Sequence, residues 1–226
     1  MHRIVGGLIV SCQADPGDPL YGAEHMVAMA RAAQMGGAVA IRANGPLDIR
    51  AIKEATSLPM IGIVKRRYEG SPIYITPTID EVRAVAAAGA DIVAVELTDQ
   101  PRPDGRSRGE FLAQIRAEFP DLPVMADIST LAEGLAAAEL GVDLVSTTLS
   151  GYTPYSPQQQ EPDLGLVEAL AQQIGVPVVA EGRISSPQEA REAMERGAFA
   201  VVVGTAITRP QKITAWYAGA LREARR

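Results

Sequence analysis

Apolar residues in this chain fall into short runs with a period of two, separated by longer stretches with a period near 3.6, and the alternation repeats eight times. The runs predict strands at about 3–11, 38–42, 60–65, 91–96, 123–127, 143–148, 177–181 and 199–204. The intervening stretches predict helices near 24–36, 46–56, 79–89, 108–119, 130–140, 163–174 and 187–197, and an eighth near 210–223 closes the chain. Gly37, Gly89, Gly141 and Gly197 each stand where a helical pattern stops and a strand begins, the place for a residue that accepts the left-handed backbone. Pro59, Pro123 and Pro177 open three other strands, a position proline tolerates because the first residue of a strand need not donate to the ladder. Ser186-Pro187-Gln188-Glu189 has the cap, first-turn proline and returning glutamate of a capping box. Eight strand–helix units in strict order predict a single α/β domain over residues 1–226, a (β/α)8 TIM barrel of the phosphate-binding type. The competing doubly wound open sheet would want a Gly-x-Gly-x-x-Gly turn after the first strand, and none follows.

Composition narrows the class. Hydrophobic residues make up 47% and aromatic residues only 4%, so the core is built from aliphatic side chains, as in parallel strands buried under helices. A net charge of −6 argues against general nucleic-acid binding. The one cysteine, Cys12, excludes an internal disulfide, fits a reducing compartment, and reads as a small buried hydrophobe. With His2 and His25 the only histidines, no Cys/His metal site is expected. The apolar run Ile4–Val10 is too short to span a membrane, so the expectation is a soluble, cytoplasmic protein with no membrane partner.

Barrel chemistry sits at the C-terminal ends of the strands. Those ends read Ser11-Cys12-Gln13, Arg42, Lys65, Glu96, Asp127, Thr147-Thr148, Glu181-Gly182-Arg183 and Gly204-Thr205. In Ile61-Ile63-Lys65, Met125-Asp127 and Val179-Glu181 the ionisable residue continues one face of its strand. If the apolar members fill the barrel, then Lys65, Asp127 and Glu181 project over it, unless a bulge reverses the parity. Each has a plainer role open to it: a solvated loop lysine for Lys65, a helix cap for Asp127, and an ion pair with Arg183 for Glu181. Phosphate is expected at the ends of strands seven and eight, where Gly182, Arg183, Gly204 and Thr205 stand, with Arg209 just beyond. Two long connections, 66–78 and 149–162, are candidate binding loops, and the second carries Tyr152 close behind Thr148.

The segments Gly7–Gln13, Ala40–Gly45, Ile61–Arg66, Tyr74–Thr78, Met125–Thr130, Ser146–Thr153, Ala180–Arg183 and Val203–Pro210, taken together, resemble the N-acylglucosamine-6-phosphate 2-epimerase family, also called N-acetylmannosamine-6-phosphate 2-epimerase. The resemblance runs the length of the chain. It implies interconversion of N-acetylmannosamine 6-phosphate and N-acetylglucosamine 6-phosphate in sialic acid breakdown, by an isomerase that needs neither cofactor nor metal. It assigns catalysis to Lys65 and Glu181, implies substrate contacts from Gln13, Arg42 and Asp127, and suggests a homodimer. Arg67 stands where the family pattern leads one to expect aspartate, and Gln158–Gln160 has no match in it.

Inverting C2 of such a sugar requires removing and returning a proton beside the C1 aldehyde of the open chain. Lys65 must be neutral to take that proton; Arg42, Arg66 or Arg183 nearby would favour the neutral form and Glu181 would oppose it. Glu181 is the candidate to open the pyranose ring or to carry a proton on the opposite face, and Gln13 or Arg42 to stabilise the enolate oxygen. Two other readings fit the same residues: a Schiff-base aldolase acting on a phosphorylated sugar, and a sugar-phosphate-binding protein without catalysis.

Overall fold

The computed structural model describes residues 3–224. Eight parallel strands close into a barrel in chain order, β8 pairing with β1. They are β1 (Leu8–Cys12), β2 (Ala40–Asn44), β3 (Met60–Ile63), β4 (Ile92–Glu96), β5 (Val124–Asp127), β6 (Leu144–Ser146), β7 (Val178–Glu181) and β8 (Ala200–Val203). The helices are α1 (Ala23–Met35), α2 (Pro46–Ala55), α3 (Ile79–Ala87), α4 (Arg108–Glu118), α5 (Leu131–Glu139), α6 (Leu164–Gln173), α7 (Pro187–Glu195), a one-turn α8 (Thr205–Thr208) and α9 (Pro210–Glu223). This is the (β/α)8 barrel that the alternation predicts. The four helix-closing glycines, Gly37, Gly89, Gly141 and Gly197, have φ between 84° and 95°, and Ser186–Glu189 forms its capping box at the start of α7.

Several boundaries differ from expectation. The second strand runs Ala40–Asn44 rather than 38–42, so Arg42 stands in mid-strand and Asn44 at its end. The first strand begins at Leu8 rather than near residue 3, because residues 3–6 form turns and Gly6 is left-handed. Ile4, expected in that strand, is buried in the group of side chains that fills the barrel, beside Val39 and Phe199. β3 stops at Ile63, so Lys65 stands two residues past its strand, and β6 stops at Ser146, before Thr147 and Thr148.

The alternation along each strand sorts side chains into two apolar layers. Ile9, Ile61, Ile63, Ile92, Met125, Leu144, Val179 and Val202 belong to the barrel interior. Val10, Ile41, Val93, Val95, Val145, Val178 and Val201 pack outward under the helices. Ile61, Ile63, Met125 and Val179 therefore lie inside, and no bulge reverses the parity of β3, β5 or β7. α9 is the exception in the outer ring. It packs mainly on α8, buries none of its own residues, and leaves Trp216, Tyr217 and Leu221 exposed.

Candidate active site

The strand ends open into a cavity of about 690 Å³. Lys65, Glu181, Gln13, Arg42, Thr148, Tyr152, Gly182, Arg183, Gly204, Thr205 and Arg209 all line it. Asp127 does not. It lies beneath the floor, with no exposed surface, and reaches the cavity through Arg42.

Arg42 is the centre of the floor. Its side chain is 1% exposed, yet three acceptors surround it. Its Nη2 donates to Asp127 Oδ2 at 2.5 Å and its Nη1 to Asp127 Oδ1 at 3.0 Å, a two-pronged pairing that fits the planar guanidinium. The same Nη1 donates to Glu181 Oε2 at 2.6 Å. Burial alone would lower the pKa of the guanidinium, but Asp127 and Glu181 more than reverse this and raise it. Thr148 completes the cluster, its hydroxyl lying 2.8 Å from Asp127 Oδ1 and 3.0 Å from Glu181 Oε2. Glu181 is thus the partner of Arg42, and the alternative pairing with Arg183 is not formed. Nor does Asp127 cap a helix: Thr130 caps α5, in a box with Glu133. Burial raises the pKa of Glu181 and Arg42 opposes that rise, so the carboxyl holds a proton more readily than an ordinary glutamate.

Lys65, two residues past β3, lines the cavity, its amide donating to Asn44 Oδ1 at 2.8 Å. The surrounding protein lowers the pKa of its amine; Asp15 opposes this, and Arg42 and Arg209 add to it. Arg42 is the expected cation, while Arg209 takes the place foreseen for Arg66 and Arg183. Glu181 opposes, as expected. Lys65 is still accessible from the open cavity.

The opposite wall is built from the ends of β7 and β8. Gly182 has φ +110°, a backbone that only glycine adopts without strain, and it turns the chain so that Gly182 and Arg183 face the cavity. Arg183 donates through Nε to the Glu161 carbonyl at 2.9 Å and through Nη1 to the Ser150 carbonyl, and its guanidinium lies 5.6 Å from the Tyr152 ring centre. Thr205 opens α8, whose first amides take no acceptor inside the helix. Thr208 ties that helix to β1 by donating to the Ser11 carbonyl at 2.9 Å. Arg209 pairs with Asp15 Oδ2 at 2.5 Å and with Asp18 Oδ2 at 3.3 Å.

Several lining residues escaped the sequence reading of the site: Tyr74, Asp15, Ser185 and Trp216. Tyr74 had a signal, since Ile73-Tyr74-Ile75-Thr76 alternates between Pro72 and Pro77 as a short strand does. The single tryptophan had none, because α9 could be placed only as the last helix of the ring.

Residues 26–223 match the profile of the NanE family, described as N-acetylmannosamine-6-phosphate epimerase. The chain belongs to the N-acetylmannosamine-6-phosphate epimerase family. A relative from Caldanaerobacter subterraneus subsp. tengcongensis is 55% identical over 100% of this chain and 95% of its own length, and one from Cutibacterium acnes is 51% identical over 97% and 95%. Both are provisionally named N-acetylmannosamine-6-phosphate 2-epimerase. The solved structure of the N-acetylmannosamine-6-phosphate 2-epimerase from Clostridium perfringens superposes with a TM-score of 0.93 at 47% identity, covering 97% of this chain and 95% of that one. A thiamine phosphate pyrophosphorylase from Pyrococcus furiosus, at 20% identity and a TM-score of 0.61, shares the fold alone.

Proposed function

We propose that this member of the epimerase family interconverts N-acetylmannosamine 6-phosphate and N-acetylglucosamine 6-phosphate by proton transfer at C2, in the breakdown of sialic acid and amino sugars. The observation that carries this reading is the single cavity in which an amine with a depressed pKa, Lys65, shares walls with the Arg42–Glu181 pair and with a glycine-rich anion cradle.

In the open-chain sugar, the neutral Lys65 amine takes the C2 proton. The C2–H bond breaks, an N–H bond forms, and the electron pair moves into a C1–C2 double bond as C1 oxygen becomes an enolate. The fixed positive charge of Arg42, with Gln13 beside it, stabilises that oxygen. Return of a proton to the other face of C2 gives the epimer, and the electrons collapse back to the aldehyde. Glu181, whose pKa burial raises against the opposing pull of Arg42, carries the proton that opens the pyranose ring or that arrives on the second face. Asp127 fixes Arg42, Thr148 fixes both carboxylates, and Tyr152 borders the sugar. Gly182, Arg183, Gly204, Thr205 and Arg209 grip the 6-phosphate, whose binding energy orients C2 against Lys65. No cofactor or metal enters the scheme, and no group of three metal-ligating side chains exists among the described residues. The aldolase and the non-catalytic binder draw no support from the relatives.

We infer also that the single-domain chain works as a homodimer in the cytoplasm. The bare apolar face of α9, with Trp216, Tyr217 and Leu221, is what a second copy would cover. Among the described residues no helix is long and apolar enough to cross a membrane.

The test is proton NMR of N-acetylmannosamine 6-phosphate in deuterated water with the purified protein. Appearance of N-acetylglucosamine 6-phosphate is the expected outcome, with deuterium entering C2 unless a shielded Lys65 returns the same proton. Absence of any conversion would overturn the reading.

A further inference from the structure

β3 and β4 are in register only at Ile61–Ile92 and Gly62–Val93. Above that level they part, and a segment returning from the β3–α3 loop fills the gap. Residues 74–76 run antiparallel to 64–66, with Lys65 and Ile75 as bridge partners. The Arg66 amide donates to the Tyr74 carbonyl at 2.9 Å and the Thr76 amide to the Val64 carbonyl at 2.8 Å. On the far side, the Glu96 amide donates to the Ile75 carbonyl at 3.0 Å. The catalytic lysine is therefore carried on an inserted strand pair rather than on the barrel itself.

This insertion is locally unfavourable. Thr76 has φ +48°, left-handed for a β-branched residue, a conformation that costs about 1–3 kcal/mol and persists only where the surroundings impose it. Glu96, the last residue of β4, supplies the constraint. It is completely buried. One carboxylate oxygen accepts from the amides of Tyr74 at 3.0 Å and Ile75 at 3.3 Å. The other accepts from the Thr98 hydroxyl at 3.0 Å and the Gln100 amide at 3.2 Å. Arg102 bonds the main-chain carbonyl of Glu96 and makes no ion pair with its carboxylate. Among the described residues the carboxylate has four donors and no ion-pair partner. A carboxyl buried without a counter-charge is costly: burial raises the Glu96 pKa, and the bonds from Tyr74, Ile75 and Thr98 oppose that rise, whereas a strand end needs only an apolar side chain.

We infer that Glu96 is a positioning residue for the reaction: it sets the inserted strand 74–76 and, through it, the place of Lys65 and the Tyr74 ring in the cavity. Glu96 does not line the cavity and touches no reacting atom. The inference rests on the reading of Lys65 as the group that moves the C2 proton.

Two variants test it. Glu96→Leu removes every acceptor, whereas Glu96→Gln keeps an oxygen for the Tyr74 and Ile75 amides. At a temperature well below its own melting point, Glu96→Leu is expected to lose about 100-fold in kcat, the cost of a misplaced catalytic group. Its KM stays within about threefold, because the phosphate grip lies on the other wall. Glu96→Gln is expected to recover to within about fivefold of the parent kcat. A folded Glu96→Leu with parental kcat, or a loss confined to KM, would overturn the inference. If Glu96→Leu does not fold, Thr98→Val takes its place: removing one of the four donors is expected to lower kcat about fivefold with KM unchanged, and an unchanged kcat counts against the inference. A second readout is independent of which reaction the site performs. Hydrogen exchange of the Arg66 and Thr76 amides is expected to quicken at least about tenfold in the weakened variant, against unchanged exchange if Glu96 sets nothing. Inactivity of the parent protein on the sugar phosphate would sink the epimerase reading while leaving this second measurement valid.

Discussion

Two arginines of this barrel are almost completely buried, and their surroundings differ in kind. At the mouth, Arg42 is enclosed by the carboxylates of Asp127 and Glu181. At the corner between the β4–α4 loop and α3, Arg102 meets no carboxylate. It donates to the carbonyls of Glu96 at 2.7 Å and Pro77 at 2.8 Å, and its guanidinium stacks 3.7 Å from the centre of the Phe111 ring. The first arginine has its pKa raised by its partners; the second has it lowered to about 10 by burial, which Asp104 and Glu96 only partly oppose. A loop can thus be stapled by a cation whose hydrogen bonds go to main-chain carbonyls and whose face lies on a ring, with no carboxylate in direct contact, and it stays charged at neutral pH. Carboxylate partners are not needed to bury an arginine. Their presence around Arg42 points to the cavity, where Glu181 keeps surface to offer a ligand.

The most damaging change to the mouth should be Lys65→Ala, with a loss of about 1,000-fold or more in kcat for C2 proton exchange and no loss of fold. Proton NMR in deuterated water reads the first and thermal melting the second; a variant that still exchanges C2 would remove Lys65 from the reaction. Arg42→Met comes next. It leaves two buried carboxylates without their cation, so a loss of about 3–5 kcal/mol in denaturant-measured stability is expected alongside lost activity. Arg42→Lys should recover little, since an ammonium cannot hold Asp127 with two parallel bonds. Arg102→Met should separate the two regions: about 1.5–3 kcal/mol less stable from the lost charged hydrogen bonds, with kcat within about threefold of the parent. A large loss in kcat there would break the distinction drawn above. Arg183→Gln should raise KM for the sugar phosphate about tenfold and spare kcat, because its loss weakens only the phosphate grip. The smallest effect is on the pH profile. Because the Lys65 pKa lies below that of a free lysine, kcat/KM should rise with pH through that depressed value as the neutral amine forms. The stability contribution has a matching sign: the unfolded chain binds the lysine proton more readily, so stability gains as pH rises from the folded pKa toward the unfolded one.

Arg102 also marks how far the sequence could be read. The barrel is legible because eight apolar runs alternate strictly with helical stretches, more units than an open doubly wound sheet usually carries, and no Gly-x-Gly-x-x-Gly turn follows the first run. Lys65 and Glu181 are legible because a charge that continues an inward-facing row emerges at the barrel mouth, whereas Asp127, on the same kind of row, stays beneath the floor as the partner of Arg42. Arg102, in Pro101-Arg102-Pro103-Asp104-Gly105-Arg106, reads as one more solvated loop charge, and only the tertiary approach of Phe111 and the Pro77 carbonyl buries it. The same holds for the pairing of Glu181 with Arg42 rather than Arg183, since strands two and seven are far apart in sequence. Strand limits fail where local pattern and tertiary role separate. Ile4 is apolar enough to continue β1, but the left-handed Gly6 breaks the run and sends Ile4 into the barrel.

That plug has a consequence for traffic. With Ile4, Val39 and Phe199 closing one end and aliphatic side chains filling the bore, the cavity does not continue through the barrel, and both epimers use the strand-end mouth. For an epimerase the molecule that leaves has the size, charge and phosphate of the one that entered, and differs in the hand of a single carbon. Each therefore queues at the same opening and competes for the same grip, so the barrel contains no valve. The direction of net flow is set outside the protein, by whichever epimer is being supplied and whichever is being withdrawn.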